Sequence, residues 1–163
     1  LPANQNLIAT LIFAGAAITD WLDGYLARVM NQTSAFGAFL DPVADKLMVS
    51  AALIVLVYLG RLDAPIALII IGREIAVSAL REWMAQIGKS KSVAVSFLGK
   101  IKTSSQMVAI PLLLYHDTIG EDFDAQQIGT WLIYVAAVLT LWSMFYYLKA
   151  ALPQALKEEK KNF

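Results

Sequence analysis

Residues able to do chemistry in this chain gather between Asp20 and Asp45. The stretch reads Asp20-Trp21-Leu22-Asp23-Gly24-Tyr25-Leu26-Ala27-Arg28 and, after eight further residues, Gly37-Ala38-Phe39-Leu40-Asp41-Pro42-Val43-Ala44-Asp45. Carboxylates in such apolar sequence are costly unless paired, hydrated or bound to a cation. On a helix Asp20 and Asp23 form an i, i+3 pair and point the same way. Asp41 and Asp45 form an i, i+4 pair on a second helix. Gly24 and Ala27 extend the first face with almost no side chain, which leaves room for a ligand against the backbone. Two acidic pairs facing each other across a helical hairpin make an all-oxygen site suited to hard divalent cations such as magnesium. Asp41 directly before Pro42 also reads as an N-cap with the proline in the first helical turn, a role compatible with the first.

The elements that must hold these acids are apolar. Of 163 residues, 58% are hydrophobic and 16% charged, against about 25% charged in an average soluble domain. That balance points to a membrane, and the zero formal net charge gives no reason to expect nucleic acid. The absence of cysteine excludes disulfides, thiolate metal sites and a cysteine nucleophile, and a single histidine, His116, excludes a multi-histidine zinc site. Five apolar segments, about 4–28, 42–60, 65–87, 92–115 and 127–149, each approach the roughly 20 residues that a spanning helix needs. The expected fold is therefore all-α, a single polytopic membrane helix bundle of about five spans over 1–163. Short polar breaks separate the segments, and Pro65, like Pro42, suits a first helical turn. The opening segment lacks a basic stretch and a cleavage site, so no signal peptide is expected.

Loop charge orients the bundle. With the motif end of the first span inside, Arg28, Lys46, Arg81, Lys89, Lys91, Lys149, Lys157, Lys160 and Lys161 fall at or near the cytoplasmic side. The opposite loops hold Arg61 with Asp63, Asp117, Glu121, Asp122 and Asp124, an asymmetry that fits the positive-inside rule. Leu1 then lies outside and the C-terminal tail inside. Both acidic pairs come to the same depth, near the cytoplasmic boundary.

The pattern Asp-x2-Asp-Gly-x2-Ala-Arg-x8-Gly-x3-Asp-x3-Asp resembles the signature of the CDP-alcohol phosphotransferases, and every fixed position is met. Asp41-Pro-Val-Ala-Asp-Lys46, Gly72-Arg-Glu-Ile75, Ala79-Leu-Arg-Glu-Trp83 and Gly99-Lys-Ile-Lys-Thr103 extend the likeness to the bacterial branch whose acceptor is glycerol 3-phosphate, over roughly Ile8 to Leu148. The resemblance implies an enzyme of phospholipid biosynthesis that moves a phosphatidyl group from CDP-diacylglycerol to glycerol 3-phosphate and releases CMP. It implies Asp20, Asp23 and Asp41 as metal ligands and Asp45 as general base and further ligand, around two magnesium or manganese ions. Asp20, Asp23, Gly24, Ala27, Arg28 and Gly37 would line the CDP donor. Arg73, Arg81, Lys100, Lys102 and Thr103 would hold the acceptor phosphate. It also implies a multi-pass protein of the bacterial inner membrane with a cytoplasmic active site, contact with membrane lipids, and a homodimer. Six spans are usual in the family, so this chain is expected to lack the first.

Blander roles compete for several of these residues. Arg73 could pair internally with Glu74 or with an aspartate elsewhere, Lys100 and Lys102 could snorkel to the surface, and Arg81 could pair with Glu82 at the interface. Trp131, Trp142, Tyr134, Tyr146 and Tyr147 read as lipid-facing, packing or belt residues, the methionines as core, and His116 as solvated in an outer loop. Gly15, Ala16 and Ala17 suit close helix packing. Two other functions fit the acids: the same reaction with inositol phosphate or serine as acceptor, and divalent-cation transport. Clustering of the acids at one face, with no matching polar groups in the outer halves of the spans, argues against a transport path.

Overall fold

The computed structural model describes residues 3–30, 35–86, 97–119 and 123–159. Five helices carry the chain: α1 (Ala3–Val29), α2 (Ala35–Tyr58), α3 (Ala64–Gln86), α4 (Phe97–Tyr115) and α5 (Ala125–Glu159). Two two-residue strands, β1 (Thr118–Ile119) and β2 (Phe123–Asp124), pair antiparallel ahead of α5. α5 packs mainly on α4 and secondarily on α3, while α1 lies along α4.

The turn from α2 to α3 shows how sequence sets a boundary. Gly60 has φ of 67°, its N–H donates to the Val57 carbonyl at 3.0 Å, and the Arg61 N–H donates to the Leu56 carbonyl at 2.9 Å. This is a Schellman ending, and it needs the left-handed residue that glycine supplies without strain. Pro65 is the second residue of α3, where its missing N–H costs nothing.

A main core joins Phe13, Leu53, Leu56, Ile70, Ile110 and Ile133, drawn from every helix. A smaller cluster of Val77, Met84, Tyr147 and Ala151 joins α3 to the second half of α5. Small residues set the closest approach. A Cβ on Gly129 of α5 would stand 3.0 Å from Leu113 Cγ and 3.1 Å from the Leu113 backbone nitrogen. At the far end from the motif, the Arg61 guanidinium donates to the Leu114 carbonyl at 2.6 Å and to Asn6 Oδ1 at 2.6 Å, and Asn6 Nδ2 donates to Asp117 at 3.2 Å. That network ties α1, the α2–α3 turn and the end of α4 together, with a cation on the carbonyl end of α4.

Several expectations change. α2 begins at Ala35, so Asp41 and Pro42 lie inside the helix and neither caps it. The apolar run Ala35-Phe36-Gly37-Ala38-Phe39-Leu40 continues the helix backward, and tertiary packing can override a proline's local preference. The part of the fourth segment at 92–96 lies outside the described residues. Among the described residues, two stretches are long and apolar enough to cross a membrane by length and composition, Asn4–Ala27 and Ala125–Pro153, where five were expected. α2, α3 and α4 break their apolar sequence with Asp41, Asp45 and Lys46, with Arg73, Glu74 and Arg81, and with Lys100 and Lys102. Gly15 is exposed with nothing within 4 Å of a Cβ placed on it, so it makes no close helix contact. Met30 is 57% exposed and is not core.

Candidate active site

Asp45, on α2, is half-buried and lines a cleft of about 70 Å³ with Lys46, Val49, Glu74, Lys102, Thr103, Gln106 and Met107. Three helices build it. α2 presents Asp45, Lys46 and Val49 within little more than one turn; α3 adds Glu74; α4 presents Lys102, Thr103 and Gln106 at i, i+1 and i+4. The charges acting on Asp45 come from Asp20 on α1, from Glu74, and from Lys46 and Lys102. Of the α1 acids, Asp20 lies near enough for its charge to act on Asp45.

The other expected acids are placed less completely. Asp20 and Asp23 lie on α1 with exposed side chains and no hydrogen bond or ion pair among the described residues. The side chains of Asp41, Arg28 and Lys100 lie outside the described residues. Gly24 and Ala27 are half-buried on α1 and Gly37 is half-buried on α2. Among the described residues no three acidic or imidazole groups stand close enough together to hold an ion. Asp20, Asp23 and Asp45 nonetheless fit a hard cation in donor chemistry, since all are carboxylates and, among the described residues, Asp20 and Asp23 have no partner to displace.

The cationic side is built around Glu74. Its Oε1 accepts from Arg73 Nη1 at 3.2 Å and from Lys102 Nζ. Two cations therefore share one carboxylate, which leaves an excess of positive charge. Arg73 is paired with Glu74, the blander of the two roles foreseen for it, and it also donates to Ser143 Oγ at 3.1 Å. Lys102 is 2% exposed, so it does not snorkel. Arg81 finds Tyr147 rather than Glu82: it donates to the phenol oxygen at 3.2 Å. The Tyr147 ring takes both guanidiniums, with Arg73 Cζ 5.7 Å and Arg81 Cζ 5.4 Å from its centroid. The Nε atoms of Arg73 and Arg81 are buried without a hydrogen-bond partner, donors left for an acceptor to meet.

Glu74, Tyr147, Ser143 and Gln106 were not singled out as site residues from sequence. From sequence, Glu74 in the Gly72-Arg-Glu-Ile75 run reads only as a partner for Arg73. Tyr147 was grouped with the belt aromatics; it is 1% exposed, whereas Trp131 and Trp142 are 71% and 67% exposed. Nothing local marks Gln106 or Ser143. His116, expected in solvent, is half-buried with φ of 61° and a buried, unpartnered Nδ1. It ends α4 in the left-handed region, with its N–H on the Leu112 carbonyl at 3.0 Å.

The chain thus joins an all-helical architecture to an Asp-x2-Asp-Gly motif with two downstream acids at fixed spacing. The CDP-alcohol phosphatidyltransferase family profile matches residues 1–142, and the chain belongs to that family. A Shigella flexneri serotype 5b protein named CDP-diacylglycerol–glycerol-3-phosphate 3-phosphatidyltransferase is 53% identical over 145 residues, covering 88% of this chain and 78% of that protein. Proteins with the same name from Salmonella choleraesuis and Pectobacterium atrosepticum are 52% and 53% identical, each covering 89% of this chain and 79% of the relative.

Proposed function

We propose that this protein transfers a phosphatidyl group from CDP-diacylglycerol to glycerol 3-phosphate, giving phosphatidylglycerophosphate and CMP at the cytoplasmic face of the bacterial inner membrane. The names of relatives more than half identical to it support the substrates. The observation that carries the mechanism is the cleft, where Asp45 of the motif meets Lys102 and Thr103 of α4 beside Glu74 of α3.

Asp45 accepts the proton of the acceptor's primary hydroxyl. That oxygen attacks the phosphorus bearing diacylglycerol, the new P–O bond forms, the anhydride bond to CMP breaks, and CMP leaves with the electron pair. Asp20, Asp23, Asp41 and Asp45 are the residues that would hold divalent cations. Bound magnesium or manganese supplies charge neutralisation on the pyrophosphate, the main need in phosphoryl transfer. Gly24 and Ala27 keep the α1 face low so that the nucleotide can approach, with Arg28 and Gly37 beside it. Arg73, Arg81, Lys100, Lys102 and Thr103 hold the acceptor phosphate. The unmet Nε donors of Arg73 and Arg81 and the excess of cations around Glu74 support that assignment. A lipid setting is supported by the exposed apolar sides of α1 and α5, which carry Leu11, Ile12, Trp131, Val138, Trp142 and Phe145.

The test is product analysis. Purified protein with magnesium and CDP-diacylglycerol receives glycerol 3-phosphate, inositol phosphate or serine in separate reactions, and mass spectrometry reads the lipids. Phosphatidylglycerophosphate and stoichiometric CMP are expected from the first alone. A lipid product from either other acceptor, with none from glycerol 3-phosphate, refutes the assignment.

A further inference from the structure

Gln106 is 4% exposed, lies on the wall of the Asp45 cleft, and has a side-chain oxygen that is buried without a hydrogen-bond partner. A buried acceptor with no donor is costly, and in a native fold it calls for an explanation. Around it the nearby polar groups already have tasks. Glu74 Oε1 takes Arg73 and Lys102, and Lys102, beside Glu74, is assigned to the acceptor phosphate. Asp45 is assigned to the attacking hydroxyl. Gln106 follows Lys102 and Thr103 by four and three residues, so it stands on the same face of α4, one turn C-terminal to Lys102. The cleft, about 70 Å³, is room for a fragment of a few heavy atoms, given about 30 Å³ per water in the liquid.

We infer that Gln106 is the specificity residue for the acceptor's carbon backbone, its Oε1 accepting a hydrogen bond from a secondary hydroxyl that flanks the attacking primary hydroxyl. The inference rests on the acceptor reading above and deepens it. A phosphorylated triol bound with its phosphate on the α3 and α4 cations and its terminal hydroxyl at Asp45 has one hydroxyl left. The unmet oxygen of Gln106 satisfies it, and the hydroxyl relieves the orphan. A site built this way rejects an analogue that lacks the hydroxyl, because the buried acceptor is then unpaired again.

The test compares glycerol 3-phosphate with 3-hydroxypropyl phosphate, which keeps the phosphate and the primary hydroxyl and lacks the secondary one. Wild-type protein is expected to favour glycerol 3-phosphate in kcat/KM by roughly tenfold to a hundredfold. In Gln106→Met, which keeps the length and removes the acceptor, the preference should collapse to within about threefold, through loss on glycerol 3-phosphate. The CDP-diacylglycerol KM should stay unchanged, which also reports an intact fold. Gln106→Asn, shorter but polar, should fall between the two. An unchanged preference in Gln106→Met, as expected if the oxygen only holds a water, overturns the inference while leaving the transferase reading in place. No preference in wild type overturns it equally. Absence of turnover with either phosphate, alongside turnover with another acceptor, removes the acceptor reading itself and the inference with it.

Discussion

Asp23 and Asp45 carry the same group in different surroundings. Asp23 is exposed on α1, whereas Asp45 is half-buried in a cleft with Lys46, Glu74 and Lys102. Under the proposed mechanism, Asp45→Asn keeps the size and one acceptor oxygen but cannot take a proton. It should lower kcat by roughly 10²–10⁴-fold with CDP-diacylglycerol affinity largely intact. Asp23→Asn should instead weaken donor binding, because one fewer charge faces the cation. Near wild-type turnover in Asp45→Asn, or donor loss as severe as in Asp23→Asn, makes Asp45 simply another ligand. A second residue-scale expectation concerns His116. Burial, and then the Arg61 guanidinium, hold its imidazole below the ordinary value of 6.5. The unfolded chain therefore binds the proton more readily than the folded one. The stabilisation is complete above pH about 6.5 and declines as pH falls through that value toward the lowered folded value. His116→Asn, which also tolerates the left-handed backbone, should show a smaller drop in Tm between pH 7.5 and 5.5 than wild type. An equal drop in both proteins rules out a His116 contribution.

At the scale of elements, the contact between α4 and α5 is set by the missing side chain at Gly129. A methyl there meets the Leu112 and Leu113 region at 3.0 to 3.1 Å, including backbone that cannot swing away. Gly129→Ala should therefore destabilise the protein by about 1–3 kcal/mol, the usual cost of overpacking. Gly15→Ala on α1 meets nothing within 4 Å and should be neutral or stabilising by about 0.5–1 kcal/mol through helix propensity. Thermal unfolding of the two variants in detergent separates the effects; similar shifts for both would mean that α4 and α5 are not so closely packed. The helices themselves were legible from apolar segments and polar breaks, to within a few residues for α1, α3 and the start of α5. The start of α2 was not, because Asp41-Pro42 carries the local signal of a helix beginning while the apolar residues before it already belong to the helix. The small β1–β2 pairing had no periodic signal in two-residue strands.

For the molecule as a whole, the proposed membrane setting and metal dependence lead to measurements that need no variant. The protein should remain with the membrane fraction through alkaline carbonate washing and leave it only in detergent, since α1 is little buried and both α1 and α5 expose large apolar side chains. Release by carbonate alone would contradict embedding. Transfer activity should vanish with a chelator and return with magnesium or manganese, because clustered carboxylates repel one another and the donor's pyrophosphate unless a cation neutralises them. Full activity in a rigorously metal-free preparation refutes the cation site.

Sequence by itself determined the helical class, the spacing of the acids and the family, because helix periodicity and a motif of fixed spacing are local properties. It placed Asp20 with Asp23, and Asp41 with Asp45, by counting along the chain. Tertiary structure alone decided which distant groups share those surroundings. Glu74 and Lys102 are 28 residues apart, Arg81 and Tyr147 are 66 apart, and Arg73 and Ser143 are 70 apart. Whether Lys102 reaches for the surface or for Glu74, and whether Tyr147 faces lipid or two arginines, depends on which faces of α3, α4 and α5 pack together. That choice balances desolvation of charge against partners supplied by other helices, and no single helix's pattern contains it.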